Sequence, residues 1–328
     1  MGLIAVSVIG LVLLPAAAAD AQAARRVARV AILCMACYSP ASGQFRPGVA
    51  FLDELQQLGY VSGQAVRLDD RYIGTNHDRL AGRAADLVRG KADVILVAEA
   101  AGVRAVRNAT TTTPIVMLGV PDAVRLGLVA SLARPGGNVT GVTIPLEELV
   151  TKQLELMREI VPRLSRVGIL SNPDNPEHTL ALSAVEHAAG ALGVELLRLV
   201  ARTQRDFEAA FSAMRPGRTG GLIVLPDRLF YAQGAGLRSL ALRGRVPTIS
   251  TDRIFAEGGG LLSFGPSDEE MYRRAAYFVA RILKGARPAD LPVEQPTRFH
   301  LAINVGTARA LGLTIPDTVR IRADEVID

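Results

Sequence analysis

The stretch RVGILSNPDNPEHTLALSAVEHAAGALGVELLRLV, Arg166–Val200, reads as one complete strand–helix–strand unit. Arg166–Leu170 is an apolar strand, Ser171-Asn172-Pro173 a turn, Pro176–Leu192 a helix and Glu195–Val200 a second strand. Such a unit closes right-handed and pairs its strands in parallel. Outward from it the alternation continues. A helix over Leu146–Ile160 precedes it. After it come a helix over Gln204–Met214 capped by Thr203, a strand at Gly221–Leu225, one helix over 229–243 and a strand at Pro247–Ser250.

The same alternation fills Arg29–Ile144. Strands are expected at Arg29–Met35, Ala65–Tyr72, Ala92–Val97, Pro114–Leu118 and Asn138–Thr143. Helices are expected at Phe45–Leu58, Asp78–Arg89 and Ala100–Asn108. Phe51, Leu52, Leu55 and Leu58 recur at helical spacing, and Gly59 ends that helix. Two blocks of similar size give an α/β chain of two doubly wound parallel-sheet lobes. Beyond Gly258-Gly259-Gly260 the strand Leu261–Phe264 and the helix from Ser267 to Leu283 are expected on the first lobe. Ser267 and Glu270 stand as a capping box. A strand over Pro292–Ile303 crosses back, and Thr307–Leu311 is a short last helix. The hinge thus has three crossings. The expected division is a leader at 1–23, lobe one at 28–144 plus 261–290, and lobe two at 145–260 plus 291–328.

The leader reads as a signal peptide. Leu3–Leu14 is apolar apart from Ser7 and Gly10, and small-x-small sites follow at Ala19–Ala21 and Ala21–Ala23. No Lys or Arg precedes the run, so an uncleaved anchor is the alternative. The expected location is the periplasm, in mature soluble form. Net charge is +5, but the arginines are dispersed and no helix-turn-helix module precedes the first lobe, so no nucleic acid is expected. A monomer without cofactor or metal is expected. Cys34 and Cys37 form a C-x-x-C followed by a loop instead of a helix start, which fits two structural thiols or a local disulfide better than redox catalysis.

In open parallel sheets, ligands sit beyond the carboxyl ends of the strands. The candidate ligand-binding residues are those just after each strand. In lobe one they are Tyr38, Ser39, Glu99, Ala100, Val120 and Asp122; in lobe two they are Asn172, Pro173, Asp227 and Asp252. Helix N-termini among them suit an anion, Asp227 and Asp252 suit an ammonium or hydroxyls, and Tyr38 suits stacking. The plainer reading is that Asn, Asp, Ser and Pro are what strand-to-helix turns prefer. Of the four histidines, His77, His178, His187 and His300, only His178 lies near a cleft-facing helix start. No G-x-S-x-G, Walker loop, G-x-G-x-x-G or H-E-x-x-H occurs, so the chain is not expected to be an enzyme.

Several of these segments together carry a resemblance. Phe45-Arg46-Pro47-Gly48, Leu58-Gly59-Tyr60, Asn172-Pro173-Asp174-Asn175-Pro176 and Leu225-Pro226-Asp227 contribute, as do Pro288–Thr297 and Ala310–Pro316. The most specific run is Gly127-Leu128-Val129-Ala130-Ser131-Leu132-Ala133-Arg134-Pro135-Gly136-Gly137-Asn138-Val139-Thr140-Gly141-Val142. The chain resembles the ABC-transporter substrate-binding proteins related to the tryptophan-binding type. The resemblance implies a type I periplasmic binding fold that hands a small solute, such as an amino acid, to an ABC transporter permease. The chain departs from the family's usual pattern after the third strand, where Glu99-Ala100-Ala101 replaces a Gly-Thr-Pro-like turn. It departs again after the fourth, where Pro121-Asp122-Ala123 keeps only the Asp. Glu99 at the cleft would repel an anion. The rival readings are a sensor that presents its closed lobes to a membrane receptor, and an enzyme using Glu99, Asp227 or Asp252 as general acid or base.

Overall fold

The computed structural model describes residues 27–34, 48–72, 79–161, 164–214 and 219–328. Expectations for the leader, for Cys37, Tyr38 and Ser39 and for His77 lie outside them. Cys34, buried at the end of the first strand, is disulfide-bonded.

The first sheet has five parallel strands: β1 (Ala28–Cys34), β2 (Val66–Tyr72), β3 (Val94–Ala98), β4 (Ile115–Pro121) and β5 (Val139–Ile144), in the order β2-β1-β3-β4-β5. Alternate residues of β1 feed two different cores, as the two-residue period of a strand requires. Val30, Ile32 and Cys34 pack with Phe51 and Leu55 of α1 (Gly48–Gln57). Ala31 and Leu33 pack on the other face with Leu80, Ala84 and Leu87 of α2 (Leu80–Arg89) and Val103 and Val106 of α3 (Ala100–Ala109). Burial on both faces explains the unbroken apolar runs in the sequence. Each fully buried Leu, Ile or Phe adds roughly 1.5–3 kcal/mol.

The second sheet has seven strands in the order β12-β11-β10-β9-β8-β6-β7. They are β6 (Arg166–Ser171), β7 (Glu195–Val200), β8 (Leu222–Val224), β9 (Thr248–Ser250), β10 (Leu262–Pro266), β11 (Phe299–Asn304) and β12 (Glu325–Ile327). All neighbours are parallel except β10 and β11. Helices α4 (Leu146–Ile160) and α5 (Glu177–Leu192) cover one face, and α6 (Asp206–Ala213) and α8 (Gly234–Arg243) the other. The chain also forms α7 (Arg228–Ala232), α9 (Arg253–Glu257), α10 (Asp268–Leu283), α11 (Val305–Leu311) and α12 (Asp317–Arg320).

The structure departs from expectation in several places, one of them the strand expected over Pro292–Ile303, which is only Phe299–Asn304. β10, expected beside the first sheet, pairs with β9 and β11 in the second, and Leu262 lies in that sheet's core. Of β10 and α10, α10 alone packs on the first sheet, where Phe278 and Val279 lie under β1, β3 and β4. The helix expected over 229–243 is two helices, α7 and α8, meeting at Gln233, whose φ of −106° is not helical. The capping box at Ser267 is half formed: its hydroxyl accepts from the Glu270 N–H at 3.3 Å, while Glu270 takes the Thr297 hydroxyl at 3.0 Å.

The run Gly127–Val142 is scaffold. Asn138 Nδ2 donates to the carbonyls of Thr110 (3.2 Å) and Thr113 (2.9 Å), tying the entry of β5 to that of β4. Gly141 has φ +129° and its carbonyl accepts from the Glu294 N–H at 2.9 Å. The Glu294 carbonyl in turn accepts from the Thr143 N–H at 2.9 Å. The returning hinge segment is therefore stitched along the free edge of β5. The chain passes between the sheets there, between β5 and α4, and between β10 and α10.

Candidate functional site

The turn after β3 and the turns after β6 and β8 meet across the space between the sheets. Glu99 is the residue before α3, at φ +80°, a conformation that costs a non-glycine residue about 1–3 kcal/mol. That turn aims the first N–H of α3 across the gap. Ala100 N–H donates to Oε1 of Glu177, the first residue of α5, at 2.6 Å. One hydrogen bond thus joins a helix start on the first sheet to a helix start on the second.

Behind Glu177, a network fixes the second wall. Asp227 is buried; its Oδ1 caps α7 by accepting from Leu229 N–H at 2.8 Å, and its Oδ2 accepts from Asn175 Nδ2 at 3.0 Å. Asn172 Nδ2 approaches both oxygens at 3.4 Å. Asn175 Oδ1 accepts from Glu177 N–H at 3.0 Å and so sets the start of α5. His178 pins the two turns together. Its Nδ1 accepts from Asn172 N–H at 2.7 Å, which leaves the proton on Nε2 to donate to the Pro226 carbonyl at 3.0 Å. Its ring stacks on Phe230 at 6.2 Å. Burial pushes its pKa below the usual value, so it stands neutral.

The cleft is acidic. Burial, then the neighbouring Glu177, push the Glu99 carboxyl up to about 8; Arg228 opposes the shift and Asp227 adds to it. Burial also raises Glu177, against the Ala100 N–H and Arg104. Tyr231, one helical turn after Arg228, keeps 38 % of its surface open. The cleft walls still crowd its hydroxyl, which lies 3.4 Å from Thr251 Oγ1, and loss of hydration and Asp252 raise its pKa. A depression of ≈ 180 Å³ lined by Glu270, Arg274, Glu294 and Thr297 lies at the hinge, away from these strand ends.

A model of the ABC transporter substrate binding protein family matches residues 30–327. The chain belongs to that family. It is similar to a tyrosine-binding protein of Clostridioides difficile (strain R20291), 26% identical over 276 residues, which are 84% of this chain and 78% of that protein. A solved conserved domain protein from Vibrio cholerae is 27% identical with a TM-score of 0.83, over 92% of this chain and 100% of that one. The ABC domain from Streptococcus pneumonia in complex with L-Trp shares the fold at 22% identity and TM-score 0.80, over 92% of this chain and 99% of its own. The two mostly parallel α/β sheets are those of type I periplasmic binding proteins.

In this substrate-binding protein, Glu99, Ala100, Asn172 and Asp227 come together as one constellation. Asp252 borders it: its Oδ1 caps α9 through Ile254 N–H at 3.0 Å, and its charge reaches Tyr231. Pro173 is an exposed turn residue. Val120 does not join them. β4 runs on to Pro121, so Val120 is still a strand residue and its side chain is in the core. Asp122 sits at the hinge, at φ +40°, where its carboxylate accepts from the Leu146 N–H at the start of α4. Burial, with Glu147 and Glu148 nearby, raises its pKa. Sequence reasoning missed Glu177, Asn175, Arg228 and Tyr231. The signal for the last two was their i, i+3 spacing directly after Asp227, hidden by starting that helix one residue late.

Proposed function

We propose that this chain is an extracytoplasmic solute-binding protein. It captures an amino acid or close amino-bearing solute between the two sheets and delivers it, without turnover, to an ABC transporter permease. The observation that carries the reading is the Glu177–Ala100 hydrogen bond, which makes the two sheet edges opposite walls of one site. The family match supports it, as do the tyrosine in the name of the Clostridioides difficile relative and the L-Trp held by the Streptococcus structure. A thermal-shift screen of the twenty amino acids tests it. A ligand at about 100 times its dissociation constant adds roughly 2.7 kcal/mol, a rise of several degrees in Tm for a protein of this size. A flat response to all of them would refute the amino-acid reading.

The monomeric state and the absence of nucleic-acid binding belong to the same proposal, as does export. No helix among the described residues is long and apolar enough to cross a membrane. We expect the exported protein to begin at Gln22 or Ala24, after the small-x-small sites. Mass spectrometry of the mature chain checks this, and an intact Met1 would overturn it.

A further inference from the structure

We propose that the solute of this cleft is an organic cation, whose ammonium or guanidinium group lies against Glu99 and Glu177. This rests on the cleft reading above and names the chemistry of the ligand.

The first reason is occupancy. A helix N-terminus at a strand end is the natural seat for a solute carboxylate. Here the first N–H of α3 already holds a carboxylate of the protein's own, Glu177 Oε1 at 2.6 Å. A solute carboxylate entering there would have to displace it.

The second reason is charge. Glu99, Glu177 and Asp227 act on one another, with Arg228 and Arg104 as the opposing cations. Asp252 and Asp268 extend the negative field to the Tyr231 end, where Arg238 faces Asp252. Among the described residues, five carboxyl groups thus meet three guanidinium groups. Asp227 accepts from Leu229 N–H, Asn172 and Asn175, all neutral donors. His178, packed against the same turn, is held neutral and supplies no charge. Of the groups acting on Glu99, Arg228 is the one positive charge among the described residues. Carboxylates removed from water without enough counter-charge keep their protons instead. Glu99, titrating near 8, behaves so. A cationic group placed there replaces that proton and satisfies the carboxylates at once.

The third reason is shape. Tyr231 is partly exposed beside Asp252, Asp268 and Asp227, and an aromatic ring near carboxylates is an attractive surface for an ammonium or guanidinium.

The test is calorimetric titration of the mature full chain at low salt with three sets of probes. L-lysine and L-arginine carry a cation and a carboxylate, cadaverine and agmatine carry cations alone, and L-tyrosine and L-tryptophan have neutral side chains. We expect at least one cationic probe to bind about 10-fold or more tightly than tyrosine and tryptophan. Whether lysine and arginine or the amines bind better identifies the source of the cation. Tyrosine or tryptophan binding as tightly as every cationic probe would overturn the inference and leave the amino-acid reading standing. No binding by any probe would overturn the inference, and the screen of all twenty amino acids then decides the amino-acid reading.

Binding should also release protons. Glu99 holds its proton below about 8, so affinity for a cation should climb from pH 6 to pH 9, and titrations in buffers of different ionisation enthalpy should show proton release near pH 7.5. Glu99→Gln should abolish that release and weaken the cationic probe by about 10-fold. Because the wild-type protein itself reports proton release, a pH-independent affinity with no release would sink the inference even if the variant fails to fold.

Discussion

Gly141→Ala is expected to lower the stability of the folded chain by about 3 kcal/mol or more. A Cβ at this position would stand 2.1 Å from the Met117 carbonyl oxygen and 2.7 Å from its nitrogen. Both are backbone atoms of β4, so no side chain can rotate away. The residue's φ of +129° is itself open only to glycine at low cost. The neighbouring strand offers no slack, since the β4–β5 register already shifts between Met117 and Val120. Gly141 also passes the ladder on: its carbonyl receives Glu294 from the returning hinge segment. Pushing β5 away from β4 therefore disturbs the hinge as well. Gly137→Ala, where nothing lies within 4 Å of the added Cβ, is the control and should cost less than about 1 kcal/mol. Denaturant midpoints of the two variants measure the difference, and equal midpoints would refute the packing argument.

That residue also shows why the run Gly127–Val142 is so specific without touching the site. Gly127, Gly136 and Gly141 all have positive φ, and Asn138 clamps two carbonyls. The pattern records a path the backbone can take with few other residues, and so it identified the fold well and the solute not at all.

The fold was legible wherever local pattern and tertiary role agree. Helix Leu146–Ile160 and strand Glu195–Val200 have the bounds expected of them. The first-sheet strands read as apolar runs because both faces are buried. β10 was misplaced because a short apolar run announces a strand but not its neighbours. Pairing with β9 and β11 is decided by the hinge route, which no local signal carries. Residues at the site followed the same division. Glu99, Asp227 and Asp252 were found by position, since the turn after a parallel strand must face the cleft. Glu177 escaped because an acidic residue in the first turn of a helix has an ordinary explanation in the helix dipole. Only the opposing sheet edge reveals that it reaches Ala100. Val120 was over-read for a local reason: β4 continues past Leu118, so a residue placed in the turn is still in the strand.

Asp227→Ala should cost about 2–4 kcal/mol of stability, which is the larger part of its effect. Its side chain was expected from the sequence to meet the solute directly, with capping of the following helix as the competing role. The structure gives it the capping role through Leu229 N–H at 2.8 Å. Loss of an N-cap costs about 1 kcal/mol. Truncation also strands Asn175 Nδ2, and with it Asn172 Nδ2, in a part-buried turn, and each orphaned donor costs about 1–3 kcal/mol if water cannot reach it. Those two Asn residues set the turn after β6, which holds the start of α5 and hence Glu177. Affinity should therefore fall as a consequence of lost geometry. Asp227→Asn separates the two effects: it keeps an oxygen for Leu229 and the shape of the turn while removing the negative charge behind Glu177. Its amide NH2 replaces the oxygen that accepts from Asn175 Nδ2, so it should cost about 1–2 kcal/mol in stability, less than truncation, and still weaken a cationic solute several-fold. Paired unfolding curves and calorimetric titrations of both variants decide the matter. An Asp227→Ala protein that unfolds at the wild-type midpoint yet binds much more weakly would return Asp227 to direct contact with the solute.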